Sequence, residues 1–356
     1  MQRILTGVKP TGIAHIGNYF GAIKPAIEMS ESDDKECYIF IADYHALTTV
    51  KTQQDMLENT YNIACTWLAC GLDPNKVVFY KQSDISENVE LGWILCNLTP
   101  KGLMNRAHAY KACVEKNEEN GLDKDAGVNM GLYNYPILMA ADILLYDIDC
   151  VPVGLDQKQH VEIARDIAIS FNNRYGKAFV LPECAISQDT GVLVGLDGRK
   201  MSKSYNNTIQ LFCDEKTLQK TINKIVTDSR LPGEPKDTDN TICKLYKLFV
   251  TSEQYQDFAK RMEGGLGWGD AKKELFKVAN EYISPMREKY NYYQSHREEV
   301  DKILQDGAKK AKEVATKNLL KIKKMIGVTH WLCFIVYIKQ NLIWKILFLK
   351  VMAKIW

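Results

Sequence analysis

Arg3-Ile4-Leu5-Thr6-Gly7-Val8-Lys9-Pro10-Thr11-Gly12-Ile13-Ala14-His15-Ile16-Gly17-Asn18-Tyr19-Phe20 is the stretch on which the reading of this chain turns. A short β-leaning run ends at Gly7, a Lys-Pro-Thr-Gly turn follows, and an apolar-periodic segment begins behind His15 to Asn18, giving strand, loop and helix. At such a junction backbone N–H groups and the positive end of a helix converge, which suits a polyanion. Gly12 and Gly17 carry no side chain to keep a nucleotide away, while Thr11, His15 and Asn18 supply donors for developing negative charge. The same residues also suit an ordinary tight βα turn with a capped helix, so the stretch alone leaves both readings open.

A second stretch separates them. Gly198-Arg199-Lys200-Met201-Ser202-Lys203-Ser204 sets two lysines three apart in a Gly- and Ser-rich loop, a mobile cationic clamp suited to phosphates. Together, His15-Ile16-Gly17-Asn18 and Lys200-Met201-Ser202-Lys203-Ser204 resemble the two signatures of the class I aminoacyl-tRNA synthetases, in order and in separation, the first in its Asn-ended form.

The 356 residues, 46% apolar, are enough for one large core and a smaller one. A net charge of only +2 argues against a protein that wraps nucleic acid, so RNA contact is expected to be local. Ten cysteines lie mostly in apolar runs with no C-x-x-C pair, which points to a reducing, cytoplasmic setting, and no export signal precedes the first strand. The tail from Val328 to Trp356 carries four lysines and no acid. Its longest apolar run, Trp331 to Ile338, falls far short of the ~20 residues that span a bilayer. The tail reads as a non-native extension or an element without catalytic role, and a weak surface-binding helix is the other option.

Between the two signatures strands and helices alternate. A helix is expected from Gly17 to Met29, a buried strand from Cys37 to Asp43, a helix from Met56 to Cys70 and a strand from Lys76 to Tyr80. The alternation predicts an α/β fold with a doubly wound parallel sheet of Rossmann type, and the first loop lacks the G-x-G-x-x-G of dinucleotide enzymes. Ligands of open α/β sheets sit at the carboxyl ends of strands, which makes His45 a pocket candidate; a structural role is equally open. Residues 101–130 turn polar and charged, and Tyr133 to Tyr146 resumes an apolar helix with Asp142 in its middle. A buried carboxylate needs a partner, so Asp142 is expected to face a polar ligand or fixed donor. Cys150 to His160 reads as a strand, a Gly turn and a helix capped by Asp156, in which His160 packs rather than binds metal; no metal site is expected. A helix follows from Ile163 to Tyr175. Beyond Ser204 the periodicity is helical, with breaks at Leu231 to Pro235 and Gly264 to Gly267, and residues 206–327 read as an all-α region with no long basic stripe.

Within the synthetases, Met139 to Tyr146, Val151 to His160 and Val226-Thr227-Asp228-Ser229 are most similar to the tryptophan-specific family, and the resemblance runs from about residue 2 to 327. It implies a catalytic domain over 1–205, with 101–130 as the connecting insertion, and a helical tRNA anticodon-binding domain over 206–327. It further implies that Asp142 accepts the indole N–H of tryptophan while His45, Tyr135, Met139, Val153 and Gln157 shape the pocket. ATP would lie over Lys9, Pro10, Thr11, Gly17 and Asn18, with Gly154, Leu155 and Asp156 at its ribose and the Leu193 backbone at its adenine. Lys200, Met201, Ser202, Lys203 and Ser204 would close over the phosphates. Thr11, His15, Asn18, Lys200 and Lys203 would act in catalysis, with Mg²⁺ arriving on ATP. The partners implied are tRNA(Trp), L-tryptophan, ATP and a second copy of the chain, with no membrane apart from a weak role of the tail. Tyrosine activation, a related nucleotidylyltransferase and a non-catalytic RNA-binding descendant are the competing readings.

Overall fold

The computed structural model describes residues 1–186 and 193–328, with the side chains of Asp156 and Ile186 excepted. The reading of the tail therefore lies, beyond Val328, outside the described residues.

Five parallel strands form one sheet: β1 (Gln2–Val8), β2 (Lys35–Ile41), β3 (Val77–Lys81), β4 (Cys150–Val153) and β5 (Glu183–Ile186). Their order is β3-β2-β1-β4-β5, the doubly wound arrangement that the alternation predicts. The strand order reverses between β1 and β4, and that crevice is where such sheets bind ligands. β5 is an element the sequence reading passed over, because Glu183 to Ile186 is too short for periodicity to show.

Side chains alternate across the sheet and seed two cores. Ile4, Ile39, Ile41, Val77 and Phe79 face one way; Leu5, Tyr38, Phe40, Tyr80 and Val151 face the other. After β1 the chain forms one helical run, Ile16–Asn18, a π-helical turn Tyr19–Ile23 and helix α1 (Lys24–Ser30). It covers the first face together with α2 (Gln53–Ala69). On the second face lie α3 (Glu87–Cys96), α5 (Met130–Leu144) and α6 (Lys158–Tyr175), with α4 (His108–Glu119) packed against α5. The sequence reading puts Asp156 at the cap of α6. The helix instead begins at Lys158 with Gln157 at its cap, because Leu155–Gln157 forms a 3₁₀ turn that takes Asp156 inside it.

Beyond the second signature lie α7 (Glu215–Asn223), α8 (Thr241–Tyr246), α9 (Ser252–Glu263), α10 (Trp268–Ser295) and α11 (Arg297–Met325), and single helical turns occur at Asp43–Ala46 and Lys101–Met104. Leu218, Ile242, Phe258, Leu275 and Val300 join the first-face core without a break. α11 crosses the sheet edge, since Val300 and Leu304 belong to one core and Ala311, Ala315, Leu319 and Ile322 to the other. The crossing point is Gly307, where a Cβ would lie 1.8 Å from the Phe79 carbonyl oxygen, so the helix touches strand backbone there.

The expectation of no long basic stripe is corrected here. Between Lys309 and Lys324 the chain has seven lysines and one acid, and Lys309, Lys310, Lys312, Lys317, Lys321 and Lys324 are exposed along the outer face of α11. Net charge over the whole chain concealed this local run. No helix among the described residues is long and apolar enough to cross a membrane.

Candidate active site

A cavity of about 470 Å³ opens at the carboxyl ends of β1, β2 and β4, a size suited to a small organic ligand. His45, Tyr135, Met139, Asp142, Val153 and Gln157, six residues from three parts of the sequence, all line it. Leu5, Phe40, Ile143 and Val151 make its body apolar, and Lys9 stands at its edge towards the first loop.

Asp142, 1% exposed, is the polar centre. His45 Nε2 lies 2.9 Å from its Oδ2, and Gln82 Nε2 donates to both oxygens at 2.9 and 2.8 Å. Burial pushes the Asp142 carboxyl above its ordinary value, and the His45 and Gln82 bonds oppose that rise. Gln82, wholly buried, was missed in the sequence although it follows β3 just as His45 follows β2. Asp43 ties these strand ends together by accepting the N–H groups of Tyr44 and Ser83, each at 3.0 Å. The Tyr135 hydroxyl is held by His160 Nε2 at 2.5 Å, so His160 orients a pocket wall.

The half built from the two signature stretches is held differently. His15 Nδ1 accepts the Asn18 N–H at 3.3 Å and Asn18 Oδ1 accepts the His15 N–H at 3.0 Å, a reciprocal cap on the first helical turn. The His15 ring packs over Gly17, where a Cβ would lie 2.9 Å from Nδ1. Burial, with the Lys203 ammonium, lowers the His15 pKa to about 4. His15 is therefore neutral at pH 7, and with Nδ1 accepting, its proton is assigned to Nε2, free to donate. Lys9 Nζ donates to Thr48 Oγ1 at 2.8 Å, and burial lowers its pKa. Pro10 is buried, Thr11 and Asn18 are exposed, and Gly12 adopts φ +88° beside Lys203 Nζ.

The second signature reaches the first through backbone. Ile16 donates to the Ile209 carbonyl at 2.9 Å and Leu211 to that of Ala14 at 3.0 Å, which stitches the start of the helix to the chain just beyond Ser204. Lys203 Nζ then donates to the Thr11 carbonyl at 2.7 Å. Met201 is buried and donates its N–H to the Leu193 carbonyl at 2.7 Å, Ser202 is half-buried, and Lys200 and Ser204 are exposed. The Lys200 ammonium makes no hydrogen bond or ion pair within the described residues, and no bond joins it to the Asp142 pocket. Gly154 starts the 3₁₀ turn, Leu155 is 73% exposed, and the Asp156 side chain lies outside the described residues. Among the described residues no group of three or more His, Cys, Asp or Glu side chains is placed to hold a metal ion.

The family model for class I tRNA synthetases of the W and Y kind matches residues 1–284. A Neisseria meningitidis tryptophan–tRNA ligase is 50% identical over 329 residues, covering 92% of this chain and 98% of that protein. The crystal structure of the Campylobacter jejuni tryptophanyl-tRNA synthetase complexed with ADP and tryptophan superposes with a TM-score of 0.85 at 46% identity, over 92% of this chain and all of that one. The Mycoplasma pneumoniae tryptophanyl-tRNA synthetase gives 0.74 at 29% identity, over 92% of this chain and 98% of that one. Identity at this level over nearly the whole of a relative extends past the shared W and Y fold to one branch of it, and this chain belongs to the tryptophan–tRNA ligase family of class I aminoacyl-tRNA synthetases.

Proposed function

We propose that the chain activates L-tryptophan with ATP and transfers the tryptophanyl group to the 3′-terminal adenosine of tRNA(Trp). The observation that carries this reading is the buried Asp142 carboxylate, fixed by His45 and Gln82, in an apolar cavity whose edge residue Lys9 leads into the first loop, to which Lys203 is tied through the Thr11 carbonyl. Asp142 accepts the indole N–H, and Tyr135, Met139, Val153 and Gln157 bound the ring. An acceptor left unpaired by phenylalanine is penalised without a separate editing site.

The tryptophan carboxylate attacks the α-phosphorus in line, the bond to the bridging oxygen breaks, and pyrophosphate leaves. Lys200 and Lys203 meet the charge that grows on the phosphate oxygens, His15 donates from Nε2, and Asn18 and Thr11 flank it. Lys9, Pro10, Gly17, Gly154, Leu155, Asp156, Leu193, Met201, Ser202 and Ser204 complete the nucleotide site, and Mg²⁺ arrives as MgATP. The adenosine hydroxyl then attacks the acyl carbon of the adenylate and AMP departs. Neither step uses a protein nucleophile.

Residues 206–327 take the anticodon-binding role, and the exposed lysines of α11 offer that region a polyanion-facing surface. A homodimer in the cytoplasm is the working assembly. Amino-acid-dependent ATP–pyrophosphate exchange with tryptophan, tyrosine and phenylalanine tests the reading. Exchange with tryptophan alone is expected; exchange with tyrosine instead overturns the role of Asp142. Lys200→Ala is expected to slow exchange without lowering the melting temperature, and an unaffected rate removes Lys200 from the mechanism.

A further inference from the structure

We propose that Asn207 is the positioning residue of the Lys200–Ser204 loop, its buried amide holding the Lys200 carbonyl and the Ser202 N–H just ahead of Lys203 and tying both to the Asp197 side chain. Asn207 is 2% exposed. Its Oδ1 accepts the Ser202 N–H at 2.8 Å, while its Nδ2 donates to Asp197 Oδ1 at 2.7 Å and to the Lys200 carbonyl at 3.0 Å. Its own carbonyl accepts the Leu196 N–H at 3.0 Å. A primary amide has two donors, and both are used inside the loop.

Two neighbours are shaped to this amide. A Cβ on Gly195 would lie 2.3 Å from Nδ2 and 2.7 Å from the Asn207 carbonyl oxygen, so only glycine lets the chain cross the amide this closely. Asn206 adopts φ +51°, a left-handed turn that asparagine tolerates better than most residues, and this turn swings Asn207 back under the loop. The Asn207 bond is also the largest cause holding the Asp197 carboxyl below its ordinary value.

Neither an acid nor an alanine replaces it in kind. An acid at 207 keeps the acceptor for Ser202 but loses both donors and sets a second negative charge against Asp197. An alanine loses all three side-chain bonds. The charges of Lys200 and Lys203 stabilise a transition state only when delivered to the right oxygens, so a loosened loop loses rate. Asn207 acts through those lysines and touches no substrate.

The inference rests on the role of Lys200 and Lys203 proposed above, so Lys200→Ala runs alongside as a reference. The full chain carrying Asn207→Ala, Asn207→Asp, Gly195→Ala, or Asn207→Asp with Asp197→Asn is assayed by pyrophosphate exchange. Rates are normalised to active sites counted from the burst of adenylate. Asn207→Ala, Asn207→Asp and Gly195→Ala are expected to lower kcat roughly 10- to 100-fold and to raise KM for ATP, with KM for tryptophan within about twofold. The double variant restores a donor–acceptor pair between 197 and 207 and is expected to recover about tenfold over Asn207→Asp alone. Normal kcat and KM for ATP in Asn207→Ala, with Lys200→Ala slow, overturns this inference alone; a normal Lys200→Ala overturns the role on which it rests. A loss confined to the number of active sites, in whichever of the single variants folds, means that Asn207 serves only stability and also overturns it.

Discussion

Replacing the indole N–H of the substrate by sulfur, as in β-(3-benzothienyl)alanine, removes one hydrogen and leaves the ring's shape nearly unchanged. On the proposed reading Asp142 then keeps its bonds from His45 and Gln82 but loses the one that the indole N–H would supply. A hydrogen bond to a charged acceptor contributes about 1.5–3 kcal/mol, so kcat/KM for the analogue should fall roughly 10- to 150-fold below that for tryptophan. Asp142→Ala removes the acceptor and should bring the two substrates to within about threefold of each other. That substitution also strands the His45 ring and the Gln82 amide, at a cost of about 1–3 kcal/mol each, but both substrates meet the same damaged protein and the cost cancels in the ratio. Pyrophosphate exchange at saturating ATP measures all four values of the cycle. An equal preference for tryptophan over its sulfur analogue in wild type and Asp142→Ala would show that the indole N–H is read elsewhere.

Gly307→Ala puts a methyl into the Phe79 carbonyl, so α11 must move off β3; urea unfolding should show a loss of about 1–3 kcal/mol, and an unchanged midpoint refutes the close crossing. His15 should titrate near pH 4 in the folded protein, and a ¹H–¹⁵N NMR titration with an inflection at pH 6–7 would contradict its burial beside Lys203. Because the unfolded imidazole takes a proton near pH 6.5 and the folded one only near 4, this residue's contribution to stability is complete above pH 6.5 and is lost as pH falls towards 4. Charge reversal of Lys309, Lys310 and Lys317 together should raise KM for tRNA about tenfold at physiological salt and flatten its salt dependence; an unaltered tRNA KM removes α11 from the RNA surface.

The pocket was legible where chemistry contradicted local pattern. Asp142 stood out because a carboxylate inside an apolar helix requires a partner, and His45 because it follows a buried strand. Gln82 follows β3 in the same way, yet an uncharged amide in a polar turn breaks no local rule, and its burial exists only once β2 and β3 pair. Asn207 was hidden for a similar reason, since its partners at 197, 200 and 202 come together through a reversal of the backbone that periodicity does not register. The helices beyond Ser204 were readable as helices, but the crossing of α11 over the sheet edge was not. Its signal is a single glycine between two apolar sets, and only the fold reveals that those sets face different cores.

The two halves of the site differ in what holds them, and the difference follows their tasks. Choosing tryptophan requires a fixed acceptor, because a carboxylate that could turn to water would pay little for a missing N–H. Asp142 cannot turn: donors from two strand ends hold both its oxygens, and Asp43 locks those strand ends to each other. Phosphoryl chemistry sets the opposite demand, since charge moves from the α-phosphate towards pyrophosphate and the cations must follow it. Lys200 is exposed without a partner among the described residues, and Lys203 rests on a single neutral carbonyl, a bond that a phosphate oxygen would outcompete by charge. His15, kept neutral by burial and by Lys203, can donate to the phosphates without adding a third repelling cation to the cluster. The tryptophan half is therefore complete in the fold itself, and tryptophan should bind with ATP absent. On the proposed mechanism the phosphate half gains its full charge complement only when a bound triphosphate takes Lys200 and Lys203 as partners, which would tie the strongest electrostatic stabilisation to the moment of reaction.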